Sequence, residues 1–346
     1  MPTVAHIVSA ERLTVANELL ARGIEEKLFT HAVYALARGG TRIALKAFGE
    51  AKENTVFDLA SLTKPMATAT CLMQLVEQGK LHLRQSVPRF FEDKFGSLPH
   101  LSGVEVRHLL THTSGLPPIP RWPEAGAKPS HREVIQSVLA TPLLRPAGVG
   151  YTYSDTGYIL LSEIITRAAG QTLNCCFAQN VAAPLGLENT IFLPSAPGEI
   201  APTGREPQGT VHDPRAHDMG GVAGHAGLFG TASEVLAYAE VIRAGGSPIL
   251  SRASTRRMAQ SQIAPEIGFQ SYGWFCAGND YLPQGDLFSD SSYGHSGFTG
   301  TAILIDPAFD VSLVLLTNRV VNQSEDGSRF LRLRRLWLNA VAASLL

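Results

Sequence analysis

The segment Ser61-Leu-Thr-Lys64 places a hydroxyl nucleophile and an amine base at helical spacing. A serine hydroxyl is a weak nucleophile unless a nearby base takes its proton. Residues three apart lie on one face of a helix, so Lys64 would present its amine beside Ser61. The amides and dipole at a helix N-terminus would favour an oxyanion there. Alone, however, the S-x-x-K pattern is more typical of an ordinary helix start with a surface lysine, because it occurs by chance in many chains.

Two further motifs follow in the order that penicillin-recognising enzymes share. YTYSD, residues 151–155, precedes a predicted helix, and HSG, residues 295–297, is placed at the start of a predicted strand. The pattern extends over residues 30–320 and includes four longer segments: FDLASLTKPMAT, LLTHTSGLP, YSDTGYILLSEII and GGVAGHAGLFGTASEV. On these motifs the chain resembles class C β-lactamases, penicillin-binding proteins, and the related carboxylesterases and D-amino-acid peptidases.

The resemblance implies a role for each motif. Ser61 would be the nucleophile, and Lys64 and Tyr153 would share the acid–base work, with Tyr151 a weaker candidate because it sits two residues early. The backbone amides of Ser61 and Phe298 would form the oxyanion hole. The remaining predicted site residues are His295, counted with the catalytic group, and, for substrate binding, Asp155, Ser296, Gly297 and His225.

Two departures from the family pattern bear on the substrate. Asp155 replaces the usual asparagine, and an ionised carboxylate cannot donate the hydrogen bond that an amide donates. If close to Lys64 it would also favour the charged lysine, which opposes use of that amine as a base. His295 replaces the usual lysine, so a titratable imidazole stands where a fixed charge would hold a substrate carboxylate. These changes predict that small neutral esters are preferred over penicillins.

A histidine-rich segment between the tyrosine and HSG motifs has a competing interpretation. His212, Asp213, His217, Asp218 and His225 are all potential metal ligands within a short span. No H-x-x-x-H helix pair occurs, and the glycines favour a constrained loop that braces the site. We therefore expect no metal and no cofactor, with a direct catalytic role for His225 left open. His112 is expected to anchor the turn at Gly115.

The fold class follows from the order of the predicted elements. An amphipathic helix after Ser9 and two strands open the chain, helices and loops fill the middle, and three strands and a helix close it. This order predicts an α/β fold of the α+β type, in which terminal helices flank an antiparallel sheet and a helical domain is inserted. Residues 1–62 and 250–346 would form the sheet domain and residues 63–249 the insert, with the active site in the cleft between them.

Composition excludes several classes of protein. A net charge of −1 without a lysine or arginine block gives no support for nucleic-acid binding. Arg332, Arg334 and Arg335 form the densest basic run, which we interpret as the solvated face of a terminal helix. Neither a signal peptide nor a membrane-spanning run is recognisable, which predicts a cytoplasmic protein, or a periplasmic one if a leader had been removed. The oligomeric state stays open.

The resulting hypothesis is a serine hydrolase that forms an acyl-enzyme on Ser61. Its substrate would be a small ester, amide or peptide, so the activity would be that of an esterase or a D-amino-acid peptidase or carboxypeptidase. One alternative is a true class C β-lactamase. Alternatives of other classes are a non-catalytic binding or scaffold protein on the same fold and a metal-dependent hydrolase that uses the histidine-rich loop.

Overall fold

The computed structural model describes residues 8–123, 129–194, 199–322 and 327–345. The strands in these ranges are β1 (His31–Arg38), β2 (Thr41–Gly49), β3 (Phe57–Asp58), β4 (Ile191–Phe192), β5 (Leu228–Gly230), β6 (Phe275–Cys276), β7 (Tyr293–Ser296), β8 (Ala302–Asp306) and β9 (Val311–Thr317). The helices are α1 (Ala10–Glu25), α2 (Thr70–Glu77), α3 (Glu92–Phe95), α4 (Val106–Leu110), α5 (His131–Leu139), α6 (Asp155–Ala169), α7 (Leu173–Phe177), α8 (Ala183–Leu185), α9 (Pro214–Asp218), α10 (Ala232–Arg243), α11 (Arg252–Met258) and α12 (Ser328–Ser344). Short 3₁₀ and π segments connect several of them.

Six strands form one antiparallel sheet in the order β2-β1-β9-β8-β7-β6. The two ends of the chain meet where β1 pairs with β9, from Ala32 opposite Thr317 to Arg38 opposite Val311. The prediction of one sheet assembled from both ends of the chain is therefore confirmed. A smaller sheet, in the order β3-β5-β4, leads into the Ser61 segment.

Alternation along the strands gives the large sheet two apolar faces. In β1, Val33 and Ala35 belong to one core, while Tyr34 and Leu36 belong to another. Helices α1 and α12 pack together over the second face, where Trp337 of α12 lies against Tyr34. The terminal helices thus flank the sheet, and the predicted fold class is confirmed.

Helix α10 covers the opposite face and packs against β1, β8 and β9. Thr231 caps its first turn by accepting a hydrogen bond from the Glu234 amide. This helix falls inside the range assigned to the insert, although its neighbours belong to the sheet. The domain boundaries at residues 63 and 249 stay a prediction.

Two local expectations need correction. The first of the three strands predicted near the C-terminus is only Phe275–Cys276, because Gly273 and Gly278 on either side adopt φ of 94° and 95°. The HSG motif ends β7 rather than starting a strand. The amide of Gly297 donates to the carbonyl of Thr301 at 2.7 Å, which makes residues 297–301 the turn between β7 and β8.

Among the described residues, no helix is long and apolar enough to cross a bilayer. The interpretation of the N-terminus as lacking a signal peptide depends on residues 1–7, which lie outside the described residues. The cytoplasmic location derived from it stays a prediction.

Candidate active site

A strained turn presents the nucleophile. Ser61 lies in the 3₁₀ turn Ala60–Leu62, directly after β3, and Ala60 has a φ of 47°, a left-handed conformation that L-residues rarely adopt. Asp58 Oδ1 accepts the Ala60 amide at 2.8 Å, and Thr63 Oγ1 donates to the Ala60 carbonyl at 2.7 Å. These two hydrogen bonds stabilise the left-handed conformation of Ala60, which is unfavourable for the backbone alone. The predicted helix continues as the π segment Lys64–Ala69 and then as α2.

Lys64 is fully buried beside Ser61, with 0% of its side chain exposed. Its Nζ donates to Ser61 Oγ at 3.0 Å and to the carbonyl oxygen of His225 at 3.0 Å. Asp155 Oδ1 lies 2.8 Å from the same nitrogen, in the geometry of an ion pair rather than of an aligned hydrogen bond. The predicted Ser61–Lys64 pair is thus brought together, and Asp155 joins it.

Asp155 is the first residue of α6, where the helix dipole favours an anion. Burial raises the pKa of this carboxyl, but the Lys64 ammonium and, to a smaller extent, His225 outweigh burial, so its pKa lies below the ordinary value. Asp155 is therefore ionised at neutral pH. The sequence analysis expects Asp155 to favour a charged Lys64 if the two side chains are close, and the structure places them in contact.

Tyr153 lies half-buried over the same lysine, with Lys64 Nζ 4.9 Å from its ring centre. Burial raises the pKa of Tyr153 well above its ordinary value, and the Asp155 charge adds to this, whereas an interaction with the Ser61 hydroxyl lowers it. The phenol is therefore protonated at rest. Tyr151 points elsewhere, because its hydroxyl donates to Gln270 Oε1 at 3.2 Å.

His112 holds the tyrosine motif in place. Its Nδ1 accepts the Ser154 amide at 3.0 Å, and its ring lies 4.6 Å from the ring of Tyr153 and 5.1 Å from that of Tyr158. Burial lowers the pKa of His112 well below its ordinary value, and the charge of Lys64 lowers it further, so the imidazole is neutral. The expected role as a turn anchor understates this residue, because it fixes the backbone that carries Tyr153.

The turn between β7 and β8 is tied to the nucleophile turn. Thr299 Oγ1 donates to the Asp58 carbonyl at 2.8 Å, and Thr301 Oγ1 donates to the Leu59 carbonyl at 3.0 Å. A side chain at Gly297 would place its Cβ 2.8 Å from the Leu59 oxygen, so only glycine allows this approach. Phe298 is thereby held beside the Ser61 segment, and the role of its amide in an oxyanion hole stays a prediction.

His295 does not face the cleft. Its ring is fully buried and stacks on Phe275 at 4.2 Å between ring centres, and its Nδ1 is 2.9 Å from the carbonyl oxygen of Ser296. Burial and, next, the charge of Lys64 lower the pKa of His295 well below its ordinary value. The imidazole is neutral across the working pH range, so an anion-binding role that titrates near neutral pH does not fit this geometry.

A cavity of about 390 Å³ opens over Ser61, lined among others by Tyr153, Tyr281 and Phe298. Two arginines that sequence reasoning missed also line it, Arg319 after β9 and Arg334 on α12. The expectation that Arg334 lies on a solvated helix face is wrong, whereas its neighbours Arg332 and Arg335 are exposed. The signal in the sequence was the spacing of Phe330 and Arg334, whose side chains stack at 5.8 Å.

Neither cleft arginine has a carboxylate partner in the part of the chain that the structure describes. Arg319 Nε donates to the carbonyl of Phe298 at 2.7 Å and its guanidinium lies over that ring. Over the described ranges its terminal nitrogens have no carboxylate partner. Burial and, next, the charge of Arg319 lower the pKa of Arg334 to about 10, so both side chains remain cations at neutral pH.

The histidine-rich loop braces the site. His225 Nε2 contacts Asp213 Oδ1 at 2.9 Å while the His225 carbonyl accepts from Lys64, and the ring of His212 stacks on Phe298. His217 is exposed and 3.7 Å from Asp218. Over the described ranges, no group of three or more His, Cys, Asp or Glu side chains is placed to hold a metal ion. A larger cavity of about 770 Å³ borders residues 207–221 but contains none of the predicted catalytic side chains.

The β-lactamase family model matches residues 17–336. A protein of Escherichia coli K12 with the provisional name D-alanyl-D-alanine carboxypeptidase is 32% identical over 306 residues, which cover 78% of this chain and 70% of the relative. The N-acetylmuramyl-L-alanine amidase of Bacillus subtilis strain 168 is 31% identical over 363 residues, covering 90% and 82%. This chain belongs to the β-lactamase family.

Solved structures show the same fold. EstCE1, a hydrolase with promiscuous acyltransferase activity, superposes with a TM-score of 0.76 at 24% identity and covers 96% of this chain and 99% of its own. A penicillin-binding protein homologue from Caulobacter crescentus has a TM-score of 0.76 at 19% identity, covering 98% and 99%. The predicted superfamily and the prediction of a hydrolase of the esterase or peptidase kind are confirmed at this level.

Proposed function

We propose that this chain is a carboxypeptidase-type serine hydrolase that forms an acyl-enzyme on Ser61 and releases a leaving group with a free carboxylate. The observation that carries this proposal is the pair of half-buried arginines, Arg319 and Arg334, in the Ser61 cavity. The name of the Escherichia coli relative supports the same class of substrate.

The geometry of the cleft supports the following roles. Ser61 attacks the carbonyl carbon, and the backbone amides of Ser61 and Phe298 hold the oxyanion, since donors fixed in advance stabilise charge as it develops. Tyr153, protonated at rest and near Ser61, protonates the leaving nitrogen or oxygen. Lys64 carries protons between Ser61 and Tyr153. Water then releases the acyl group from Ser61.

Two cations held close together in a partly desolvated cleft are costly without an anion. A substrate carboxylate would accept charge-assisted hydrogen bonds from both guanidinium groups, each worth roughly 1.5–3 kcal/mol. Arginine is suited to this because its planar fork matches a carboxylate. The preference for neutral esters was predicted from Asp155 and His295 together. The His295 part is not supported by this geometry, because that ring is buried and the arginines supply positive charge to the cleft, whereas the Asp155 part stays a prediction.

A matched substrate series tests the proposal. An N-acyl-D-Ala-D-Ala peptide, its C-terminal amide, a small aryl ester and a chromogenic cephalosporin are compared on wild type and Ser61→Ala. We expect kcat/KM for the free carboxylate to exceed that for the amide by about tenfold or more, and Ser61→Ala to lose turnover of every substrate. Equal turnover of acid and amide, or an active Ser61→Ala, would refute the proposal.

A second candidate function is that of an esterase for neutral acyl groups. The observation in its favour is the apolar rim of the cleft, where Tyr281, Phe298 and Leu331 leave half or more of their side chains exposed. The same series separates the two, because an esterase would prefer the aryl ester and ignore the carboxylate. Fast cephalosporin hydrolysis would instead indicate the class C β-lactamase alternative.

A further inference from the structure

Lys64 has no free lone pair in the resting site. Its amine is surrounded by three acceptors, Ser61 Oγ, the His225 carbonyl and Asp155 Oδ1, at 3.0, 3.0 and 2.8 Å. An ammonium has three protons to donate and no acceptor site. With the anionic Asp155 in contact, the lysine is an ammonium that points one proton at the Ser61 hydroxyl. In that state it cannot remove the proton of Ser61.

Tyr153 cannot remove it either, because its phenol is protonated at rest. Asp155 is the carboxylate in contact with Lys64, and 26% of its side chain is exposed. Its backbone is fixed because the Asp155 amide donates a hydrogen bond to the Pro118 carbonyl at 2.9 Å. Asp213, the next carboxylate, is bonded to His225 and to the Ala216 amide. The base of the acylation step must therefore be sought in the Lys64–Asp155 pair.

We propose that Asp155 is the proton acceptor of acylation and that Lys64 is the relay between it and Ser61. A proton passes from Lys64 Nζ to Asp155 Oδ1, and the neutral amine takes the proton of Ser61 as its oxygen bonds to the carbonyl carbon. When the bond to the leaving group breaks, Tyr153 supplies the proton that the leaving group needs. The phenolate then takes a proton from Lys64, which Asp155 replaces, so every group returns to its resting state.

The short contact makes this transfer possible. The ion pair is the resting state, because the Lys64 charge outweighs burial and holds the pKa of Asp155 below its ordinary value, so the neutral lysine–carboxylic acid pair forms only transiently as Ser61 attacks. The donor and acceptor are 2.8 Å apart, so the transfer needs only a small rotation that aligns a Lys64 N–H with Asp155 Oδ1. The family's asparagine could not act in this way, because an amide does not accept a transferred proton at working pH. The relay rests on the proposed function and assigns the role of one residue in it.

The test uses Asp155→Asn with a p-nitrophenyl ester and a fluorophosphonate, whose leaving groups need no proton from Tyr153. Without the carboxylate, Lys64 must lose its proton to solvent before each attack. We expect ester cleavage and labelling at pH 7 to fall about 100- to 10,000-fold. Both should then rise about tenfold per pH unit between pH 6.5 and 8.5, where wild type stays nearly constant. The titratable groups around Asp155 are Lys64, His225, Asp213, Tyr153 and His112.

Asp218→Asn is the matched control, since it removes one carboxylate from the neighbouring loop, where Asp218 contacts Trp122 and His217. We expect it to keep the wild-type rate within about threefold and the flat profile. Circular dichroism confirms folding of each variant. A folded Asp155→Asn with a flat pH profile, at whatever rate, overturns the relay. A wild type that is not labelled on Ser61 would refute the proposed function instead.

Discussion

On one wall of the Ser61 cleft, the Lys64 amine is completely buried and contacts three acceptors; on the other, Phe298 leaves 63% of its side chain exposed. The first wall consists of the nucleophile turn, the start of α6 and the loop that ends at His225. The second consists of the turn between β7 and β8 and the cleft side of α12. Charges are paired on the first wall, whereas Arg319 and Arg334 on the second line the cavity without a carboxylate partner among the residues that the structure describes.

The difference separates chemistry from recognition. Groups that move protons have to be held within hydrogen-bond distance before substrate arrives, so they are buried and mutually bonded. Groups that recognise a leaving group have to remain open to it. Substitutions on the first wall should therefore reduce turnover of every substrate, and substitutions on the second should discriminate between substrates.

Tyr153→Phe should have the largest effect, because it removes the phenol proton and leaves the ring packed against His112. We expect kcat for the peptide substrate to fall about 100- to 10,000-fold. The fall should be much smaller for a p-nitrophenyl ester, whose leaving group needs no protonation. Steady-state kinetics on both substrates measures this. An equal loss on both would place Tyr153 in the base step, and an unchanged kcat would remove it from the mechanism.

Asp58 joins the two walls, since its carboxylate accepts the Ala60 and His212 amides while its carbonyl accepts from Thr299. Burial raises the pKa of Asp58 to about 6 from an ordinary 3.8. An acid with a raised pKa in the folded state contributes stability that is complete below its unfolded pKa and is lost as pH rises through its folded pKa. About two pKa units correspond to about 3 kcal/mol.

We therefore expect the free energy of unfolding of wild type, relative to Asp58→Asn, to decrease by about 2–3 kcal/mol between pH 4 and pH 7.5. Urea unfolding of both proteins at the two pH values measures this difference. Parallel pH dependence of the two proteins would show that Asp58 does not titrate in this window.

Arg334→Gln tests the recognition wall. We expect kcat/KM for the free-carboxylate peptide to fall about 10- to 100-fold, in proportion to one lost charge-assisted bond of roughly 1.5–3 kcal/mol. The C-terminal amide should be unaffected. Arg332→Gln, an exposed position on the same helix, is the matched control. A loss shared by acid and amide would assign Arg334 to packing against Phe330 instead.

The smallest expected effect is that of chelation. The acyl-transfer groups of the first wall act without a metal, so exhaustive EDTA treatment should leave turnover within experimental error. Assays before and after treatment, and again after addition of zinc, measure it. Loss of activity with recovery on zinc would require the loop from His212 to His225 to be reinterpreted as a metal site.

The sequence by itself determined the parts of the protein that are local. Helical spacing places Lys64 beside Ser61, and short apolar runs bounded by turn residues give the long strands of the sheet. The motif order leads to the family and therefore to the fold. Each of these depends on residues a few positions apart, where backbone geometry decides which side chains meet.

Only the tertiary structure decided which groups from distant segments share the cleft. His295 belongs to a recognised motif, yet its ring packs on Phe275 and is buried in the core. Helix α12 brings Arg334 into the cavity of Ser61, although more than half of the chain separates the two residues. The His225 carbonyl reaches Lys64 because the loop is bonded to the nucleophile helix. Such contacts depend on how the sheet, α12 and the loops pack, and no local pattern in the sequence encodes that packing.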